Sequence, residues 1–360
     1  MKKAILLFSF LLIFNSVINA QEIIENPKKP GSKNPGRIIQ LKEVLRIRDE
    51  GTVFYFREPW GIDVSEDGSV FVKGGIDRLY KFDASGKFER NMAKKGQGPG
   101  EITGEIENIN VQDNEIIFSC ASMNKIIKMD LAGNLIKELI PKKHALNLIA
   151  YYKNKYFIVD FMPKSFEMEE GYKDIDRNLF VIDEEGNVTP TQHSFPVKHY
   201  WARHPSRGYL STQYVTRLQS SKANQKYIYI CHTQDYLIKQ FDLEKHQISR
   251  IFRRDYPRVK FKSDEFRPFK YYNDVYRILI HKNNVWVLTS TFNEEKGIMV
   301  DVFSSEGKYI DNFYLPFFNS KTGDCFYQMY FPMVIDGDFI YAIEHDEDWN
   351  YCIVKYEIID

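Results

Sequence analysis

R-L-Y-K-F-D-A-S-G-K-F, residues 78–88, is a phrase that returns along the chain. It comes back as K-I-I-K-M-D-L-A-G-N-L at 125–135 and N-L-F-V-I-D-E-E-G-N-V at 178–188. Looser copies are Y-L-I-K-Q-F-D-L-E-K-H-Q-I at 236–248 and M-V-D-V-F-S-S-E-G-K-Y-I at 299–310, and C-I-V-K-Y-E-I at 352–358 is a truncated one. Each copy reads as a strand, a tight turn and the start of a second strand. Apolar residues alternate, and Asp and Gly follow where the backbone must bend. The anchors Asp83, Asp130, Asp183, Asp242, Ser304 and Glu357 are separated by 47, 53, 59, 62 and 53 residues. A drifting period of that size, with no helix between copies, predicts propeller blades rather than a helical solenoid.

Working outward, Arg37–Arg48 reads as an alternating strand that precedes the first repeat and has no partner nearby. The last repeat shows three strands. The two irregularities solve each other if the N-terminal strand completes the last blade and closes the ring, which removes an open sheet edge. The expected fold is therefore all-β: a six-bladed propeller of four-stranded antiparallel blades, spanning 37–360. The blades are expected at 56–104, 105–143, 144–198, 206–257, 272–318 and 327–360. In blade four, S-T-Q-Y-V-T-R-L is the expected inner strand, followed by a long turn, S-S-K-A-N-Q.

Residues 1–20 have a different character. Lys2 and Lys3 precede an apolar run from Ala4 to Phe14, and a small residue, Ala20, closes the segment. This is the pattern of a secretory signal cleaved near Ala20, and the run is too short to span a bilayer. Residues 21–36, rich in Pro, Gly and Lys, are expected to be a flexible linker. The mature chain is expected to be periplasmic or secreted, monomeric, and without a transmembrane segment.

Lys plus Arg equals Asp plus Glu at 49 each, so no overall field favours nucleic acid. The 23 Tyr and 27 Phe suit strands packed between stacked sheets. Of the four cysteines, Cys120 and Cys231 fall in equivalent strands of different blades, so a bridge between them is not expected. Cys325 and Cys352 are the candidate pair, with buried free thiols as the alternative.

K-K-G-Q-G-P-G-E-I at 94–102 joins the first two blades. Together with K-F-D-A-S-G-K-F it resembles the NHL-type, TolB-like six-bladed propellers exported by Bacteroidetes-like bacteria, where a G-x-G-P-G-E-F phrase links blades. Ile102 stands where that family has phenylalanine. The resemblance implies fold and export, and it names no activity. The glycines and Pro99 suit a tight structural turn. The phrase lacks the helix and Lys-Ser/Thr ending of a phosphate loop.

Propeller ligands sit at a channel mouth lined by the inner strands. Counting back from the following turns places Trp60, Glu107, Asn147, Thr216, Tyr276 and Phe331 at similar heights. Glu107, Asn108 and Asn147 would contribute to a calcium site resembling that of gluconolactonase-like propellers, and no Asp completes the set. A second candidate surface is the connection His199-Tyr200-Trp201-Ala202-Arg203-His204, whose aromatic and guanidinium groups suit a sugar, a carboxylate or a protein partner. No G-x-S-x-G nucleophile elbow or H-E-x-x-H metal motif is present. The expected function is an exported binding module for a glycan, small molecule or envelope protein. The alternative is a divalent-metal-assisted hydrolase or lyase at the channel.

Overall fold

A computed structural model describes residues 23–142, 146–160, 169–203, 210–260, 270–316, 332–345, 348 and 350–359. Six sheets follow one another around a ring. Their inner strands are Gly61–Val64, Ile109–Gln112, Leu146–Tyr152, Gln219–Ser220, Val275–His281 and Met333–Asp336. Blades one to three each contain four antiparallel strands. In blade six the strand Gln40–Arg48 pairs antiparallel with Tyr351–Ile359 and supplies the outer strand. The ring is closed as the unpaired N-terminal strand predicted.

Strand alternation explains the core. In V-F-V at 70–72, Val70 and Val72 face one way and pack with Tyr341 and Ile343 of blade six. Phe71 faces the other way, against Ile116 and Phe118 of blade two. Next around the ring, Ile117 points to Tyr156 and Ile158 of blade three. Each blade is thus apolar on both faces, and the core is six wedges between neighbouring sheets. A fully buried side chain such as Phe71 contributes about 2–3 kcal/mol by leaving water.

The repeated phrase is the outer hairpin of blades one to five, and in blade six it is the strand that receives Gln40–Arg48. Asp83 Oδ1 accepts the Ser85 and Lys87 amides at 2.9 and 3.0 Å. Asp130 and Asp183 hold the matching amides of Ala132 and Asn134, and of Glu185 and Asn187. Gly86, Gly133 and Gly186 follow at φ of 85°, 89° and 77°, a region that disfavours side chains. Blade four does this with His246 at φ 54°, which is why its copy is harder to read.

Three expectations are corrected. Residues 21–36 are not all linker: Ile23–Asn26 runs parallel to Gln247–Arg254 as a fifth strand of blade four. Asn26 then stitches that blade to the next, donating to the Gly307 carbonyl and accepting the Tyr309 amide. Arg37–Ile38 likewise adds to Tyr309–Leu315 of blade five, secured by an Arg37–Asp311 ion pair at 2.7 Å. The inner strand of blade four is Gln219–Ser220, because Leu210–Tyr214 belongs elsewhere.

It belongs to a three-stranded sheet with Gly171–Ile175 and Val197–Arg203. The connection that carries His199 and Trp201 therefore pairs with Gly171–Ile175, which lies between the second and third strands of blade three. V-K-H-Y-W alternates strictly: Val197, His199 and Trp201 are buried, Lys198 is exposed and Tyr200 is half-buried. The period of two was legible, but the surrounding polar residues disguised it as a loop.

The G-P-G-E phrase is structural, as its lack of a following helix implied. Gly98 donates to Glu101 at 2.9 Å, Gly100 to Glu138 at 2.7 Å, and Lys125 reaches the Gly98 carbonyl at 3.2 Å. Cys120, Cys231 and Cys352 are buried free thiols. Cys325 lies outside the described residues. The first twenty residues do too, and no helix among the described residues is long and apolar enough to cross a membrane.

Candidate functional site at the channel mouth

A cavity of about 400 Å³ opens on the ring axis, and all six blades contribute to its wall. Its polar side chains come from Trp60, Asn108, Asn147, Arg217 and Arg277, with Asp63 and Lys222 at the level where the inner strands approach their turns. Lys222 Nζ reaches Asp63 Oδ1 at 2.7 Å. Blades one and four stand opposite in a six-membered ring, so this ion pair crosses the channel. Asp63 is only 4% exposed. Its two oxygens also accept the Val64 amide at 2.9 Å and the Val111 amide of blade two at 2.6 Å. One carboxylate thereby ties three blades and floors the cavity.

Above it, Asn108 donates to Asn147 Oδ1 at 2.6 Å and to the Leu148 carbonyl at 2.7 Å. Trp60, 38% exposed, stands beside them on the same wall. Arg277 sits half-buried in the otherwise apolar inner strand of blade five, and burial pushes its guanidinium down to about 10. Arg217, at the entry to blade four, is exposed. His199 is fully buried, and its affinity for a proton falls to about 4, first through burial and then through Arg177 and Arg217. It is neutral at neutral pH, in a positive field that reaches the channel rim.

The structure sorts the sequence candidates. Trp60, Asn108 and Asn147 line the cavity together. Thr216 lies buried just before its wall and accepts the Lys198 amide at 2.7 Å. Glu107 is not on the wall. It is half-buried beside Glu105, Lys73 and Arg177, and burial raises its carboxyl above the ordinary range. Tyr276 is also off the wall, 3% exposed in the wedge between blades five and six. Both were one residue out of step. A one-residue slip turns a side chain to the opposite face, so their neighbours Asn108 and Arg277 face the channel instead. In blade five a register shift between Val275 and Arg277 misled the count.

The second candidate surface is corrected more fully. Trp201, 2% exposed, packs with Ile175 and Val197 and stacks on His199 at 6.5 Å, so neither ring can meet a partner. Tyr200 faces outward against Tyr172, with centroids 5.1 Å apart. Arg203 ends the strand. His204 and Phe331 lie outside the described residues.

Residues 62–331 match the 6-bladed beta-propeller family DUF5128. The chain belongs to that family. No curated protein matches the chain in sequence. Among solved structures, one similar protein comes from Bacteroides fragilis NCTC 9343 and carries a description as exported. It is 12% identical, with 94% of this chain and 100% of that chain covered and a TM-score of 0.55. A member of the duf4221 family from Bacteroides vulgatus ATCC 8482 is 9% identical over 90% and 99% of the two chains, with a TM-score of 0.47. A streptogramin B lyase is 12% identical over 89% and 98%, with a TM-score of 0.48. The likeness to the Bacteroides fragilis protein shows a shared fold alone.

Within this six-bladed family member, the sequence reading missed Asp63, Arg217, Lys222 and Arg277. A signal existed for two of them. Asp63 interrupts G-I-D-V, and Arg277 interrupts V-Y-R-I-L-I, and a charge inside a short apolar strand of a buried sheet needs a reason. Lys222 had no local signal, because its partner lies 159 positions away.

Proposed function

We propose that this propeller is an exported, NHL-like binding module that takes a small molecule or the end of a glycan into its channel mouth. The observation that carries the reading is convergence. Residues from all six blades meet around one cavity, and its polar members include an indole, two Asn amides from adjacent blades and two guanidiniums from the next two. Export is supported by the leader-like first twenty residues, and a monomer by a ring that closes within one chain.

The metal-assisted alternative fits the described wall poorly. Calcium takes six or more oxygens, and catalytic zinc takes three protein ligands. Here Asn147 Oδ1 is engaged by Asn108, Glu107 is off the wall, and Asp63 is held by Lys222 and two amides. Among the described residues no group of three or more His, Cys, Asp or Glu side chains comes together.

The test is a thermal-shift screen of neutral and charged small molecules and short glycans on the mature chain and on Ser220→Trp. That substitution places an indole in the cavity wall. A ligand that raises the melting temperature of the wild type and not of the variant supports the reading. Ligands that shift both equally would move the binding site off the channel.

A further inference from the structure

The cavity wall is more positive than the molecule. The whole chain balances at 49 basic and 49 acidic residues, whereas the described wall carries Arg217, Lys222 and Arg277 against the single carboxylate of Asp63. Beside the Lys222–Asp63 pair, joined at 2.7 Å, the described wall carries two guanidiniums from neighbouring blades. A guanidinium fork matches the two oxygens of a carboxylate or phosphate, and being less strongly hydrated than an ammonium it gives up water more readily. Arg277 is half-buried in its strand and still lines the cavity, so its guanidinium is both partly desolvated and within reach of the channel. The remaining polar groups suit hydroxyls: the amides of Asn108, Asn147 and Gln219 offer donors and acceptors on the same wall. Trp60 adds a partly exposed flat apolar face, against which the C–H face of a sugar ring packs.

We propose that the channel ligand is an acidic sugar, its carboxylate or phosphate directed to Arg217 and Arg277 and its ring set against Trp60. This deepens the channel reading and rests on it. The cavity, about 400 Å³, is at the small end of ligand pockets and suits one or two sugar rings better than a long chain.

The experiment is calorimetric titration of the mature chain with galacturonate, glucose 6-phosphate, neutral galactose and inorganic phosphate. It is repeated on Arg277→Gln, Arg217→Gln, Trp60→Ala and Ser220→Trp. The expected result is that one acidic sugar binds at least about tenfold more tightly than galactose or inorganic phosphate. Either arginine substitution should cost that sugar about tenfold, and Ser220→Trp should abolish its binding. The preferred acid, galacturonate or glucose 6-phosphate, tells a uronate site from a sugar-phosphate site. Galactose binding as tightly as both acids, with Ser220→Trp abolishing all of it, overturns the acidic-sugar inference and keeps the channel. Inorganic phosphate matching glucose 6-phosphate overturns the sugar. Acidic-sugar binding that survives Ser220→Trp overturns the channel reading itself. No saturation by either acid up to about 10 mM overturns the acidic-sugar inference.

Discussion

The outer hairpins and the channel rim are two regions of the same sheets, built on opposite plans. Along the outer hairpins of blades one to three, one device is used three times: an Asp accepts two amides, and a glycine turns the chain. Around the rim the blades present Trp60, then the amides of Asn108 and Asn147, then the guanidiniums of Arg217 and Arg277, and no one residue type is used by all of them. A position that repeats is answering a demand every blade makes, namely to turn. A position that differs around the ring is released from that shared demand, and under the proposed function it answers the channel ligand.

The wall between blades four and five shows how far the ring depends on a unique buried contact. Asp301, fully buried, takes Arg254 Nε at 2.7 Å and the hydroxyls of Tyr236 and Tyr309 at 2.9 and 2.8 Å. Asp301→Ala leaves Arg254 buried without its carboxylate and is expected to cost about 3–5 kcal/mol in urea unfolding. A loss below about 1 kcal/mol would mean that this network is dispensable.

Acid tests the buried histidines. His199 and His232 are both pushed down to about 4, chiefly by burial, whereas the unfolded chain protonates near the ordinary value of 6.5. A depressed folded-state value means their contribution to stability is full above about 6.5 and is lost as pH falls toward 4. Each should account for about 1–3 kcal/mol across that window. His199→Gln should flatten part of the slope of stability against pH. An unchanged slope would show that His199 takes up its proton as readily in the fold as in the unfolded chain.

The hairpin turns should divide by burial. Asp242, 1% exposed, accepts the Glu244 and Lys245 amides, and Asp242→Ala should cost about 1–2 kcal/mol. Asp183→Ala, in the corresponding but more exposed turn of blade three, where the carboxylate takes the Glu185 and Asn187 amides, should lower the melting temperature far less. Equal losses would mean that the turn geometry, rather than burial, sets the cost. Smallest of all, Asn108→Ala on the rim should leave stability nearly unchanged and alter ligand binding alone. A clear drop in melting temperature would make the Asn108–Asn147 bond structural.

Legibility followed the same division. Local alternation and the D-x-x-G turn announce blades, because strand and turn are settled by residues a few positions apart. The closing strand was legible for a related reason: Arg37–Arg48 alternates and lacks a neighbour, so it had to pair at a distance. The rim was half legible. Trp60 and Asn147 were placed correctly, whereas Glu107 and Tyr276 were one residue out, and in a strand one residue reverses the face. Asp63 stood out as a charge inside G-I-D-V, but its pairing with Lys222 was beyond reach, since their meeting across the axis depends on how many blades close the ring. The burial of Trp201 depended on Gly171–Ile175 and Val197–Arg203, separate in the sequence, pairing within one small sheet.

The most direct measurement is a crystal structure of the mature chain grown or soaked with galacturonate, and in parallel with glucose 6-phosphate, at saturating concentration. The account predicts density for one of them in the channel mouth, its acid group on Arg217 and Arg277 and its ring beside Trp60. Clear density for the sugar elsewhere on the molecule, with only water at the two arginines, would contradict it.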